Sequence, residues 1–222
     1  MFFHRLKIVA LMWWHLARVY LQLMYGAWRV SGLPQPIVTI FGGSRVLQDN
    51  PYAHQANKLA HMLVANDISV ITGGGPGIME AANCGASPKE IKIKKDGKIR
   101  SIGIGVKGVE GPNPCVHEYF SLDYFFARKY LMTRSAAGFV IFPGGFGTLD
   151  EFAEVLTLMQ TKKMEPMPVI LIDTDYWGPF MKWVNDEALQ HGLLTKEHVA
   201  LITLTDDLDR AVSLLCQHCK LK

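Results

Sequence analysis

The residues with the clearest potential for chemistry lie between positions 143 and 151, where the sequence reads Pro-Gly-Gly-Phe-Gly-Thr-Leu-Asp-Glu. Three glycines in four positions let a backbone turn sharply and approach a ligand closely. A helix that begins at such a turn presents free amide groups, which favour an anion and above all a phosphate. Glu151 would place a carboxylate next to that phosphate, where simple capping is electrostatically unfavourable. The pattern therefore indicates chemistry beside a bound phosphate.

Two more glycine-rich turns follow apolar runs, Gly42-Gly43-Ser44 after 37–41 and the turn at 73–77 after 68–72. The turn at 73–77 lacks the dinucleotide fingerprint G-x-G-x-x-G, because position 78 is isoleucine, and the Gly-Lys-Ser/Thr of a P-loop is absent. NAD and ATP are therefore not the expected ligands. A tight turn without a ligand is the alternative for 73–77 taken alone. Two such turns at neighbouring strand ends favour one shared site.

Other polar residues belong to segments that would face the same crevice: Arg128 with Lys129, Glu110, and Ser44 with Arg45. The planar fork of an arginine suits a phosphate or ribose hydroxyls, so an arginine with a carboxylate fits a phosphorylated, sugar-bearing substrate. A surface salt bridge is the alternative for Arg128, since most arginines are exposed.

The elements that must position these residues alternate along the chain from residue 36. We predict strands at 37–41, 68–72, 101–106, 139–142, 168–172 and 199–204, and helices at 52–65, 78–85, 122–136, 149–160, 176–191 and 206–219, the last capped by Thr205 or Asp206. This alternation predicts an α/β fold, a Rossmann-like doubly wound parallel sheet with helices on both faces. Ligands in such a fold bind at the carboxyl ends of the strands, where all three glycine turns lie.

The first part of the chain, 1–33, is predicted to be an apolar N-terminal helical extension of the main domain at 34–222. Apolar residues recur there at alternating spacings of three and four, as in the stripe of a packed helix. They are Leu6, Val9, Trp13, Leu16, Tyr20, Leu23, Ala27 and Val30. We expect this stripe to pack against the domain or a second subunit.

A membrane-surface helix and a signal-like segment are the two alternatives for the extension. The longest run without lysine or arginine, 8–17, is shorter than the roughly 20 apolar residues of a membrane span, and it contains His15. Arg18 stands where a signal-peptide cleavage site would need a small residue. We therefore do not expect a membrane as a partner.

Bulk properties set further bounds. The 222 residues fit one large α/β domain or a domain with an appendage, and a net charge of +3 is too small to indicate nucleic acid. The four cysteines lack the spacing of a disulfide scaffold, so we expect reduced thiols and a cytoplasmic location. No second ligand pair accompanies Cys216 and Cys219, so no metal site is predicted.

The motifs together resemble a known family, the LOG ("lonely guy") family of cytokinin riboside 5′-monophosphate phosphoribohydrolases, long labelled possible lysine decarboxylases. The resemblance rests on the segment at 73–80, on Arg128-Lys129 and on the segment at 143–151. The segments 41–45 and 124–129 resemble the bacterial branch of that family. The match covers residues 36–210.

The resemblance implies hydrolysis of the N-glycosidic bond of a nucleoside 5′-monophosphate, such as AMP or an N6-modified AMP, to a free base and ribose 5-phosphate, without a cofactor. It makes Arg128 and Glu151 the expected catalytic residues. It also implies a set of substrate-binding residues: Gly43, Ser44, Gly74, Gly75, Glu110, Lys129, Gly144, Gly145, Phe146, Gly147, Thr148 and Asp150. Family members are at least dimers, so we expect a homodimer or a larger homo-oligomer.

A binding module is the alternative function. The same fold family includes proteins that resemble molybdenum-cofactor carriers and hold a phosphorylated pterin without turnover. The presence of both Arg128 and Glu151 favours the enzyme. The lysine decarboxylase label has no support from the residues, since no site for a pyridoxal-phosphate Schiff base is recognisable.

Overall fold

The computed structural model describes residues 2–87, 100–109 and 111–220. In these residues seven strands form one sheet: β1 Ile37–Phe41, β2 Ser69–Thr72, β3 Ser101–Val106, β4 Glu118–Leu122, β5 Gly138–Ile141, β6 Val169–Ile172 and β7 Ile202–Thr205. Every pair of neighbours is parallel, in the order β4-β3-β2-β1-β5-β6-β7. The predicted parallel α/β fold is confirmed.

The helices cover both faces of this sheet. They are α1 Phe2–Ser31, α2 Pro51–Ala65, α3 Ile78–Gly85, α4 Phe125–Arg134, α5 Phe146–Gln160, α6 Thr174–Trp183 with a π-helical continuation Val184–Leu189, α7 Lys196–Val199 and α8 Leu208–Lys220. Side chains of α1, α4, α5 and α6 form one core cluster with the sheet, and those of α2, α3 and α8 form the other.

The strands are apolar on both sides because both of their faces are buried, as parallel strands require. In β1, Ile37 and Phe41 join the core cluster of α4 and α5, whereas Val38 and Ile40 join that of α2 and α3. All five residues of the strand are buried. The central strand therefore holds the two layers of helices together.

The order of the strands creates one switch point. The chain builds outward from β1 through β2 and β3 to β4, and then returns to place β5 on the other side of β1. The connections after β1 and β5 consequently diverge and leave a crevice between them, the place where ligands bind in this architecture.

Three elements differ from the sequence prediction. The helix predicted at 122–136 is the shorter helix α4, and strand β4 before it was not predicted, because Glu118 to Leu122 pair with β3 as a partly exposed edge strand. The predicted strand at 199–204 is helix α7 followed by β7. The helix predicted at 176–191 begins at Thr174 and changes to π-helical geometry after Trp183.

The cap of the last helix is also corrected. Neither Thr205 nor Asp206 caps α8; instead Asp207 accepts a hydrogen bond from the amide of Arg210 (3.0 Å), and Asp206 accepts hydrogen bonds from Thr174. The carboxylate of Asp206 is taken up by the start of α6, which leaves the cap of α8 to the next residue, Asp207.

Only part of the predicted stripe of α1, Val30 and Leu23, packs against the domain, and the predicted contact with a second subunit stays a prediction. The buried residues of α1 are Val19, Gly26 and Val30, and Leu23 packs partly against the core. The rest of the predicted stripe is exposed, namely Leu6, Val9, Trp13, Leu16, Tyr20 and Ala27. The division of the chain after residue 33 stays a prediction.

The expectation of four reduced cysteines is wrong for one pair. Cys84, in α3, and Cys115, before β4, form a disulfide, whereas Cys216 and Cys219 are free. The pair is 31 residues apart in sequence and meets because the chain after β3 folds back over α3. No local spacing could reveal it. The Lys-rich loop predicted at 88–100 lies, up to residue 99, outside the described residues.

Candidate active site

A cavity of about 620 Å³ lies at the switch point between β1 and β5. Its lining comes from the ends of β1, β2, β3 and β5 with the segments that follow them, and from α4. The residues are Ile40, Phe41, Gly42, Gly43, Ser44, Arg45, Gly73, Met79, Val109, Phe125, Arg128, Lys129, Gly145, Phe146, Gly147, Thr148, Asp150 and Glu151. The cavity is therefore the crevice that the sequence predicted.

The three glycine turns meet at one residue. Gly43 donates a backbone hydrogen bond to the carbonyl of Pro143 (2.9 Å), and its own carbonyl accepts one from the amide of Ile78 (3.1 Å). A Cβ on Gly77, which has a φ of 71°, would lie 2.3 Å from that carbonyl. Only glycine allows the turns to come this close, so their convergence is built into the backbone.

The turn after β5 leaves a helix N-terminus open to the cavity. Gly145 is the N-cap of α5, and no side chain caps the helix. The first amides, of Phe146, Gly147 and Thr148, therefore face a region without a capping side chain, which is a site for an anion. The turn is held from outside by the hydroxyl of Tyr176, which donates to the carbonyl of Gly144 (2.5 Å).

Arg128 and Glu151 form the charged centre of the cavity. Arg128 Nη2 lies 2.6 Å from Glu151 Oε1, and the side chains are only 13% and 12% exposed. Arg128 Nε also contacts the sulfur of Met132 at 3.4 Å. Arg128 lies on α4 and Glu151 on α5, so the fold brings together two residues 23 positions apart.

Burial raises the pKa of Glu151 to about 7. Loss of solvent contact is the largest cause, since it disfavours the ionised carboxylate; Arg128 lowers the pKa and Asp150 raises it. At neutral pH both forms of Glu151 are populated. A carboxyl group with this pKa suits general acid–base catalysis near neutral pH.

The space for Arg128 depends on Gly73. A Cβ at position 73 would lie 2.7 Å from Arg128 Nη2 and 2.6 Å from Met79 Sδ. The next residues of that turn face away from the cavity: Asn113 donates through Nδ2 to the carbonyls of Gly74 (3.0 Å) and Gly75 (2.9 Å). Asn113 thereby fixes the turn from behind.

Lys129 is held by α5. Its Nζ lies 2.6 Å from Glu154 Oε2 and 3.0 Å from Asp150 Oδ2. Burial lowers the pKa of Lys129, but the hydrogen bonds of Glu154 and Asp150 outweigh it and the pKa is raised. Lys129 is therefore cationic, and with Arg128 it gives the cavity two positive charges from one helix.

The expected site residues are mostly together. Arg128 and Glu151 line the cavity, as do Gly43, Ser44, Lys129, Gly145, Phe146, Gly147, Thr148 and Asp150. Gly74, Gly75 and Gly144 lie beside the lining and bond through their carbonyls to Asn113 and Tyr176. Glu110 lies outside the described residues. All these roles stay predictions.

The sequence interpretation missed the residues that support the site from behind. Asn113 sits between two prolines, a pattern typical of a turn residue, and this was its only signal. Tyr176 carries no local signal, because its contact with the carbonyl of Gly144 depends on the packing of α6. Within the described part of the chain, no group of three or more His, Cys, Asp or Glu could hold a metal ion.

Sequence comparison finds relatives of this chain. A model of the family described as possible lysine decarboxylase matches residues 79–215. The pyrimidine/purine nucleotide 5′-monophosphate nucleosidase of Escherichia coli is 29% identical over 164 residues, which is 71% of this chain and 35% of the relative. The cytokinin riboside 5′-monophosphate phosphoribohydrolase LOG2 of Arabidopsis thaliana is 27% identical over 182 residues, 80% of this chain and 81% of the relative. This chain thus spans about a third of the bacterial relative.

Solved structures share the fold. The molybdenum cofactor binding protein of Rippkaea orientalis has a TM-score of 0.58 at 22% identity, covering 82% of this chain and 96% of its own. The molybdenum cofactor carrier protein of Chlamydomonas reinhardtii has a TM-score of 0.56 at 21% identity, covering 83% and 98%. At such identities the likeness concerns the architecture alone.

Proposed function

This chain belongs to the family described as possible lysine decarboxylase, and we propose that it hydrolyses the N-glycosidic bond of nucleoside 5′-monophosphates, as two kinds of relatives in that family are named for doing. The products are a free base and ribose 5-phosphate. The observation that carries the proposal is the buried Arg128–Glu151 pair at 2.6 Å beside an uncapped helix N-terminus.

The phosphate has one favourable place in the cavity. The amides at the start of α5 offer hydrogen bonds and the positive end of the helix dipole. Thr148 lies there with its side chain buried, and Ser44 faces it from the turn after β1. A phosphate bound at this point anchors the ribose, so that the bond to be broken is held in place.

The base then belongs on the opposite side of the crevice. The strand order puts the segments after β2 and β3 across β1 from α5. Met79 and Val109 of those segments line the cavity, and Phe125 of α4 is 53% exposed there. These apolar side chains offer a surface for the flat face of a base.

Glu151 has the central task in this reaction. Cleavage of the glycosidic bond leaves its electron pair on the base and positive charge on the sugar, as in an oxocarbenium-like state. The ionised carboxylate stabilises that charge and accepts a proton from the water that attacks the anomeric carbon. Water supplies the hydroxyl of the ribose product, and the proton that Glu151 took from it passes to the leaving base, so charge and atoms balance. Arg128 holds Glu151 in place and keeps part of it ionised at neutral pH.

The test is a product assay with AMP, GMP, CMP, IMP and isopentenyl-AMP, followed by separation of free base and ribose 5-phosphate. The wild-type chain should release base from at least one of them. Glu151→Gln keeps the size of the side chain and should lower the rate by about 10²–10⁴-fold, the usual contribution of a general acid–base group. Glu165→Gln, at an exposed position outside the cavity, is the matched control. A chain that leaves every nucleotide intact refutes the proposal.

The carrier function predicted as an alternative has only the fold in its favour. A carrier does not need a buried carboxyl group with a pKa near 7, whereas a hydrolase does. Co-purification of a pterin with a chain that has no turnover would reverse this choice. The lysine decarboxylase description would require a lysine that binds pyridoxal phosphate, and Lys129 of the cavity is held by two carboxylates.

The homodimer and the cytoplasmic location also belong to this proposal. Phe125, Phe126 and Phe146 are 53%, 56% and 92% exposed at the rim of the crevice, which supports a subunit contact there.

The cytoplasm is where nucleoside monophosphates are formed. The Cys84–Cys115 disulfide tells against it, because disulfides persist mainly in oxidising compartments. Thiol labelling in intact cells, before lysis, decides between the two locations.

A further inference from the structure

Helix α1 contacts the protein body in part through polar side chains and leaves most of its large apolar side chains exposed to solvent. Arg18 and Gln22 both bind the carboxylate of Asp123, at 2.5 and 2.7 Å. Arg29 binds Glu118 at 3.1 Å, eleven residues further along the helix. This arrangement is the reverse of an ordinary surface helix, whose apolar stripe faces the core.

The outward surface of α1 is large. Fifteen big apolar side chains of this helix are at least 45% exposed, namely Phe2, Phe3, Leu6, Ile8, Val9, Leu11, Met12, Trp13, Trp14, Leu16, Tyr20, Leu21, Met24, Tyr25 and Trp28. At 100° per residue, Met12, Trp13 and Trp14 alone span an arc of about 200°. A typical monomer exposes an apolar patch of only a few hundred Å². We therefore expect another molecule or surface to bind the exposed apolar side chains of α1.

The charged residues of α1 indicate which kind of partner binds its apolar surface. The first acidic residue of the chain is Asp49, so α1 carries Arg5, Lys7, Arg18 and Arg29 without a single acid. Arg18 and Arg29 pair with Asp123 and Glu118 of the protein body, and the α1 helix of a second copy would offer no acid to Arg5 and Lys7. It would also cover only the narrow seam of a coiled coil and leave much of the wide apolar arc exposed. A second copy is thus a poor match for this surface.

We propose that α1 docks on the surface of an anionic phospholipid bilayer and lies in its plane. Tryptophan, phenylalanine and leucine on one side of a helix and cations on the other are the features of helices that bind this interface. Trp13, Leu16 and Tyr20 enter the boundary with the acyl chains, whereas Lys7 meets the negative headgroups. The protein body then sits on the outer side of the helix.

This orientation leaves the crevice open. Arg29 contacts Glu118 at the start of β4, and Arg18 contacts Asp123 just after its end, so α1 runs antiparallel to the strand. The cavity lies at the carboxyl ends of the strands. It therefore opens along the direction of the helix axis and not into the bilayer. A docked chain keeps access to a nucleotide in solution.

The test uses the full chain and vesicle flotation. We compare vesicles of phosphatidylcholine alone with vesicles of phosphatidylcholine and phosphatidylglycerol. Trp13→Glu and Leu193→Glu are matched variants, because both replace an apolar side chain of nearly equal exposure, 68% and 70%, by the same acid. Leu193 lies far along the chain, after the π-helical segment. Thermal unfolding of both variants checks that they fold.

The wild type should float with the anionic vesicles, and more salt should release it. Trp13→Glu should weaken binding at least about tenfold, and Leu193→Glu much less, since only the first removes apolar contact with the lipid. Lys7→Gln should weaken binding to anionic vesicles about fivefold and leave binding to neutral vesicles unchanged.

Three results would overturn the proposal. The first is a wild-type chain that does not float with anionic vesicles at low salt. The second is equal binding of Trp13→Glu and Leu193→Glu. The third is a sedimentation experiment in which Trp13→Glu breaks an oligomer that Leu193→Glu preserves, while Trp13→Glu binds vesicles as the wild type does. The apolar surface of α1 would then be covered by a second copy of the chain.

Discussion

The raised pKa of Glu151 makes the stability of the protein fall as the pH rises. The pKa is about 7 in the folded chain against a reference value of 4.5, mainly because the side chain is buried. A folded chain thus keeps a proton that the unfolded chain has already lost. The stabilisation is complete below pH 4.5, and it is lost as the pH rises to about 7.

The magnitude follows from these two values. From about pH 5 to about pH 8, the ionisation of Glu151 lowers the free energy of unfolding by about 2–3 kcal/mol. The side chain is only 12% exposed, so solvent screening reduces this figure little. Glu151→Gln removes the titrating group and should therefore remove this part of the pH dependence. The ion pair with Arg128 forms only when Glu151 is ionised, and its effect is already contained in the raised pKa, so the variant loses both together.

The assay is urea unfolding of the wild type, Glu151→Gln and Glu165→Gln at both pH values. All other titrating groups are common to the three chains, so their contributions cancel. Glu165 is exposed, and its variant should keep the wild-type difference between the two pH values. If Glu151→Gln loses as much stability as the wild type between about pH 5 and about pH 8, burial does not raise the pKa of Glu151, and the proposed acid–base role loses its basis.

Two further predictions concern the surroundings of the site. Gly73→Ala should change the free energy of unfolding by less than about 1 kcal/mol, because its Cβ meets only flexible side-chain ends. The same Cβ should displace the guanidinium of Arg128 and lower kcat/KM about a hundredfold. Unchanged kinetics would show that the position of this arginine is not needed. Reduction of Cys84–Cys115 should lower the free energy of unfolding by about 3–4 kcal/mol, from the length of the loop that the disulfide closes, in urea titrations with and without dithiothreitol. The variant Cys84→Ser should not respond to the reductant, and an equal response in both chains would assign the effect to something other than this disulfide.

Much of the fold could be predicted from the sequence because the central strands carry the apolar runs that their buried positions in the sheet require. The apolar runs at 37–41 and 169–172 have no alternation, as strands buried on both faces require. The glycine turns that follow the strands marked their carboxyl ends, and this was enough to predict the crevice and the meeting of Arg128 with Glu151.

The rest depends on contacts between distant segments. Strand β4 is partly exposed at the edge of the sheet, so its residues lack the apolar run that marks the central strands. The heptad stripe of α1 was read as a packing face, but Asp123 and Glu118 draw the opposite, polar side of the helix onto the body. An apolar stripe in a sequence indicates that another surface covers it, but it does not identify that surface.

The position of Glu151 on α5 is an argument for its function. The buried stripe of this helix is Thr148, Phe152, Val155 and Met159, and Glu151 lies beside it, one turn after Thr148. An apolar residue there would extend the core, whereas the neighbouring Asp150 is 60% exposed and carries its charge without a burial cost. The chain instead keeps an acid whose full ionisation costs about 3 kcal/mol. A fold that needed only stability would not keep it, so the glutamine variant should both lose this pH dependence of stability and be much the slower enzyme.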